Sequence, residues 1–152
     1  MAYTTAEGRE RVLDELAAAT EQIASALARL GAAYEQLDEQ HADDLEEQLF
    51  RPVQLAYGRA QRTHSEFAGR SNLRSRSFDP HSPGLQSQSV QELLERAAED
   101  TEDADQLIAE LQDSMLPVEV GDPELRAGLS QVREALAPVP GRARALVRLV
   151  GR

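Results

Sequence analysis

Apolar side chains recur at steps of three and four near the start of the chain: Leu13, Leu16, Ile23, Leu27, Leu30 and Leu37, with Thr20 and Tyr34 keeping the phase. A pattern sustained over more than three heptads predicts an amphipathic helix with a coiled-coil-like seam. The positions between are mostly Ala, Glu, Gln and Asp, which form helix well or solvate its outer face. Thr4 followed by Glu7 fits a capping box at its start. After Leu37 the apolar step lengthens to fours, through His41, Leu45 and Leu49, a slip that unwinds a supercoil locally. An unbroken helix over 5–50 would be about 69 Å long at ~1.5 Å per residue.

Pro52 interrupts this pattern without shifting its phase, which continues through Val53, Tyr57, Ala60, His64 and Phe67. Inside a helix a proline removes one hydrogen bond and kinks the rod. At the first position of a new helix it fits well. No Gly, Asn or Asp marks a turn at Phe50–Arg51, so a bend at Pro52, with the helix reaching residue 69, is favoured over a turn. Residues 69–88 lose all periodicity and are rich in Ser, Arg, Pro and Gly. A loop of this length is uncommon inside a compact domain unless it works or is disordered.

Ser89 with Glu92 forms a second capping box. It opens a helix over 89–116 with Val90, Leu94, Ala97, Thr101, Ala104, Ile108, Leu111 and Met115 inward. Asp122–Pro123 reads as a cap followed by a first-turn proline. A helix over 123–137 follows, burying Leu125, Leu129, Val132 and Leu136, and Pro138 and Pro140 end it. A short basic helix over 142–150 carries Leu146, Leu149 and Val150. Nothing alternates at period two long enough for a strand. The expectation is an all-α helical bundle, one unit over 1–152, whose long first helix outruns its partners and leaves part of its seam to a second copy.

Composition narrows the chemistry. The 152 residues include no Cys, no Trp and no Lys, and all 16 cationic side chains are Arg, set against 27 acids. Without Lys there is no phosphate-loop lysine and no Schiff base. Without Cys there is no disulfide, thiolate nucleophile or Cys-based metal site. Arg without Lys, beside abundant Ala, fits a GC-rich bacterial genome. The net charge of −11 disfavours nonspecific nucleic-acid binding. It is unevenly spread: −9 over 1–50, +4 over 51–89, −10 over 90–137 and +4 over 138–152. Acidic and basic segments alternate, which suits pairing within the molecule or between copies. No run approaches the ~18–20 apolar residues that cross a bilayer. The opening MAYTTAEGRE carries acids where a signal peptide has a positive start. The expected location is cytoplasmic.

Four segments are candidates for function. Asp38 and His41, three apart, share a helix face. Carboxylate-bridged bundles repeat an acid-x-x-His pair on a second helix, and this chain does not. A single ion would need His64, Glu99 or Asp103 from elsewhere. The acidic run Glu99–Asp105 keeps helical phase and lacks the glycine and terminal glutamate of a calcium loop, so it reads as a solvated face. The loop arginines Arg70, Arg74 and Arg76, with Phe78, form the best candidate for partner binding, since guanidinium forks grip carboxylate or phosphate. The tail, GRARALVRLVGR, is a short basic amphipathic stretch. It suits docking on an acidic helix of this chain or a copy better than lying on a membrane surface.

These readings favour a non-enzymatic helical scaffold acting by protein–protein contact as a homodimer. No catalytic residue and no cofactor are expected. The seam residues would supply packing and the loop arginines selectivity. The alternatives are a binding module for an anionic ligand or acidic partner through loop 69–88, and a metal–carboxylate bundle.

Overall fold

The computed structural model describes residues 5–82, 88–120 and 122–150. Thr4 of the first capping box lies outside them. The described chain is helical without strands: α1 (Thr5–Gln36), α2 (Glu39–Leu45), a π-helical turn (Glu46–Phe50), α3 (Arg51–Arg70), α4 (Val90–Asp113), α5 (Leu116–Glu119), α6 (Pro123–Leu136) and α7 (Val139–Val150). These make four columns: α1, then α2 through α3, then α4, then α6 and α7. The α1 column packs on α3 and α4, α6 packs on α3 and α4, and α7 packs on α4.

Neighbouring columns run antiparallel. Across α1 and α4, Arg29 meets Asp100 while Gln36 reaches the Gln88 carbonyl. Across α3 and α6, Arg70 meets Asp122 while Thr63 abuts Gly128. Columns α3 and α4 are therefore parallel.

The first helix is shorter than its apolar pattern implies. The helix expected over 5–50 ends at Gln36, and the chain reverses at Leu37–Asp38. Asp38 is the reason: its backbone is extended, and its carboxylate accepts from the His41 amide at 2.9 Å. That cap satisfies a first-turn amide of a new helix. The change of apolar step after Leu37 is thus a junction between two antiparallel helices.

Pro52 neither turns the chain nor ends a helix. Leu45, Phe50 and Arg51 all keep right-handed helical angles. A π turn directly precedes the proline, and the Arg51 amide bonds the Glu46 carbonyl five residues back. In an α-helix residue 52 would donate to the Gln48 carbonyl, and proline has no proton to give. Arg142 of α7 donates to that carbonyl instead, at 3.2 Å. The defect is satisfied from a neighbouring column, so the apolar phase stays in the core.

The seam of α1 is covered by this chain. Leu13, Leu16, Thr20, Ile23 and Leu30 are buried, Leu27 and Leu37 are half-buried and packed against the core, and Tyr34 is exposed. A second stripe at heptad spacing, Val12, Ala19, Ala26 and Ala33, is fully buried as well. Two stripes make an apolar arc wide enough for two neighbours, as in a bundle interior. Small alanines let α4 approach closely. Each fully buried Leu, Ile or Phe adds roughly 1.5–3 kcal/mol.

Three later elements shift from expectation. Helix α4 ends at Asp113, because Met115 turns left-handed at φ 67°; Met115 is accordingly 52% exposed and not an inward residue. Pro138 follows the end of α6, but Pro140 lies in the first turn of α7, where a missing amide proton costs nothing. Leu149 faces out, 56% exposed, while Leu146 is buried.

Met115 carries an avoidable strain, since a left-handed residue with a side chain costs roughly 1–2 kcal/mol. Met115→Gly should raise stability by about 1 kcal/mol in urea unfolding. A drop would mean that the Met side chain holds α5 in place.

Candidate interaction surface

The described part of the Arg- and Ser-rich connection, residues 71–82, is held at several points to α1 and α3. It begins at a helix end built for it. Ser71 closes α3, Asn72 adopts φ 57°, and the Leu73 amide bonds the Ala68 carbonyl at 2.8 Å. This is a Schellman cap in which asparagine replaces the usual glycine. Arg70 grips the Asp122 carboxylate with two bonds of 2.8 Å each, fastening the end of α3 to the cap of α6. Arg76 lies 3.6 Å from Asp14 of α1. His81 donates from Nε2 to Glu21 and meets the Ser25 hydroxyl through Nδ1 at 2.9 Å. Of the arginines expected to select a partner, Arg70 and Arg76 engage this chain's own carboxylates. Arg74 is exposed.

Phe78 docks inward. Its ring meets that of His64 edge-on at 5.3 Å, and its carbonyl lies 3.5 Å from the Tyr57 hydroxyl. Beneath it His64 is 2% exposed, and its Nδ1 has no hydrogen-bond partner among the described residues. Burial holds the His64 pKa below its ordinary value, and the charge of Arg76 adds to that, against the Leu13 backbone and Asp14. The ring is thus neutral in the fold and must be wetted to protonate.

A group with a lowered folded pKa gives stability above its unfolded pKa and loses it as pH falls. Between pH 6.5 and pH 5 the chain should therefore lose stability by up to about 1.4 kcal/mol per pH unit from this residue. His64→Gln should flatten that slope in denaturant titrations. An unchanged slope would place the proton elsewhere.

The residues considered for a metal do not converge. His41 bonds Asp38 through Nδ1 at 2.8 Å, and both belong to the cap of α2. His64 lies under the connection on α3, and Glu99 and Asp103 are exposed on α4. Among the described residues no three His, Asp or Glu form a group able to hold an ion.

The acidic run on α4 is a fastening ridge. Asp100 is buried against Arg29 of α1. Glu102 takes a fork from Arg144 of α7, with bonds of 2.9 and 2.7 Å. Asp105 accepts from Arg133 of α6 at 2.8 Å. Three acids thus tie α4 to three other helices, and the basic tail docks on this chain through Arg144. The Arg144 fork leads the causes that hold the Glu102 carboxyl below its ordinary pKa.

A cluster of unpaired positive charge lies on the outer face of α3. Arg51, Arg59 and Arg62 surround a shallow groove of about 400 Å³, completed by Gln54, Leu55 and Gly58. None of the three arginines has an ion-pair partner among the described residues. Leu55 is 57% exposed between them, and a Cβ on Gly58 would meet nothing within 4 Å. Neither Arg51 nor Leu55 stands out in the sequence as a binding residue. The signal was there: residues 51, 55 and 59 step by four, and no acid occurs between 48 and 65.

An apolar hollow of about 190 Å³ lies between the π turn and α7, lined by Leu49, Leu146 and Leu149 with Asp44 and Arg142. Small-molecule sites usually enclose ~300–1,000 Å³. Among the described residues no helix is long and apolar enough to cross a membrane. The chain matches no protein-family model, no curated protein and no solved structure.

Proposed function

We propose that this chain is a non-enzymatic helical scaffold that acts by protein–protein contact, self-associating in the cytoplasm through the outer face of its second column. The observation that carries the reading is the strip of Arg51, Arg59 and Arg62 around exposed Leu55. These three, like several other described arginines, have no ion-pair partner among the described residues, and they gather around one groove. Arginine is enriched at protein contacts, and here it flanks an aliphatic side chain left in water.

The metal reading loses support because its ligands are apart. The ligand-binding reading for loop 69–88 loses support because Arg70 and Arg76 are engaged. Sedimentation equilibrium of the full chain from micromolar to hundreds of micromolar is the test. The expected result is a mass rising with concentration above 16.7 kDa. A constant monomer mass throughout would end the self-association reading.

A further inference from the structure

One continuous ridge links the basic strip to an acidic one. From α2 through α3 the exposed or half-exposed positions Glu39, Asp43, Glu47, Arg51, Leu55, Arg59 and Arg62 follow at nearly one-turn steps. The π turn matters here. Steps of four drift around an α-helix, because four residues overshoot the 3.6 of a turn. One wider turn at Glu46–Phe50 takes up part of that drift, so both halves stay on the outside. The first three positions are acidic and, among the described residues, have no ion-pair partner. The last four are basic or apolar. The ridge thus changes sign once, between Glu47 and Arg51.

We infer that this ridge is a self-complementary interface on which a second copy of the chain docks antiparallel about a twofold axis near residue 49. The inference rests on the self-association reading and adds its surface and its geometry. A twofold contact uses the same patch on both copies, so residue i meets j while j meets i. Antiparallel pairing sets Glu47 against the partner copy's Arg51, and Glu39 against its Arg59, each twice. In the same register Leu55 of each copy faces the other copy's Asp43, flanked by its own Arg51 and Arg59, whose aliphatic stems cover it. Parallel pairing sets acid on acid and Arg on Arg along the whole ridge. A ridge over 39–62 is about 35 Å long at ~1.5 Å per residue. A contact of one helix width along it falls at the small end of specific interfaces, below about 800 Å² per copy. The dimer is therefore weak and sensitive to salt, since its charges are exposed.

Two charge-inverted chains test this surface. In one, Arg51, Arg59 and Arg62 become Glu; in the other, Glu39, Asp43 and Glu47 become Arg. All six positions lie outside the core, and circular dichroism checks that helicity is kept. The wild type should associate at 20 mM salt and weaken at least tenfold by 500 mM. Each variant alone should be monomeric in sedimentation equilibrium, and an equimolar mixture should regain the dimer. The chain has no Cys, so single cysteines at 51 and at 62 take spin labels cleanly. Electron–electron distance measurements should find the 51 labels near one another, and the 62 labels about 40 Å apart along the axis. If the wild type dimerises but both variants dimerise equally well, the surface is wrong and the self-association reading survives. If the labels at 51 and 62 give equal separations, the antiparallel geometry is wrong. A monomeric wild type at 20 mM salt overturns both.

Discussion

Replacing Arg29 by methionine should cost about 3 kcal/mol at pH 7, the lower end of the range for breaking a buried ion pair. Arg29 and Asp100 face each other across α1 and α4 with side chains 22% and 11% exposed. Methionine keeps the volume of the stem but leaves a carboxylate in the core. Burial already raises the Asp100 pKa, with Asp103 and Glu99 adding to the rise, and the Arg29 hydrogen bond and charge oppose it. Removing Arg29 removes the opposition. A group whose folded pKa is raised gives stability below its unfolded value, near 3.8, and loses it as pH rises. The penalty of Arg29→Met should therefore shrink as pH falls from 7 to 5 and the stranded carboxyl takes up a proton.

The pair is not an optimal one. Arg29 Nε is buried without a hydrogen-bond partner, so the arginine does not recover all it loses from water. The double variant Arg29→Met with Asp100→Leu should accordingly return to within about 1 kcal/mol of the wild type, or exceed it. Urea unfolding of the two singles and the double closes the cycle. A double variant as weak as Arg29→Met alone would mean that the pair holds the α1–α4 register and does more than offset its own burial.

The all-α architecture was legible because most inward positions keep a strict phase. Leu94, Ala97, Thr101, Ala104, Ile108 and Leu111 on α4, and Leu125, Leu129, Val132 and Leu136 on α6, are buried as their spacing requires. What escaped were the junctions. Asp38 ends one helix and starts another through its side chain alone, and an aspartate amid acids carries no special mark in sequence. Pro52 read as a bend in a continuous helix, and the helix does run through it; the π turn before it, and the bond from Arg142 ninety residues away in sequence, carry no local mark. The connection after Arg70 looked free because its charge and its lack of period say nothing of the groups on α1 and α3 that hold its described part. The acidic run on α4 looked solvated, since its three arginine partners come from three other helices. Pairings of that kind are set by packing, and local pattern does not reach them.

The tight contact between α6 and α3 gives the other large effect. A Cβ on Gly128 of α6 would collide with Thr63 Oγ1 and lie 2.7 Å from its methyl on α3. Both are inside any contact that real side chains make. Thr63 is poorly placed to yield. It is branched at Cβ, so every rotamer leaves two heavy atoms near the helix surface, and its hydroxyl donates to the Arg59 carbonyl at 2.7 Å. Gly128→Ala must then push α6 off α3, although alanine alone would favour helix by up to about 1 kcal/mol. Overpacking a tight contact costs roughly 1–3 kcal/mol, so the net result should be a loss of about 1 kcal/mol, and up to about 2, in urea unfolding. Adding Thr63→Ala removes the hydroxyl and the methyl but keeps a Cβ only 3.1 Å from the new one. The double variant should recover most, and not all, of the loss. A Gly128→Ala chain as stable as the wild type would show that α3 and α6 lie farther apart, and the place of the fourth column against the second would have to be redrawn.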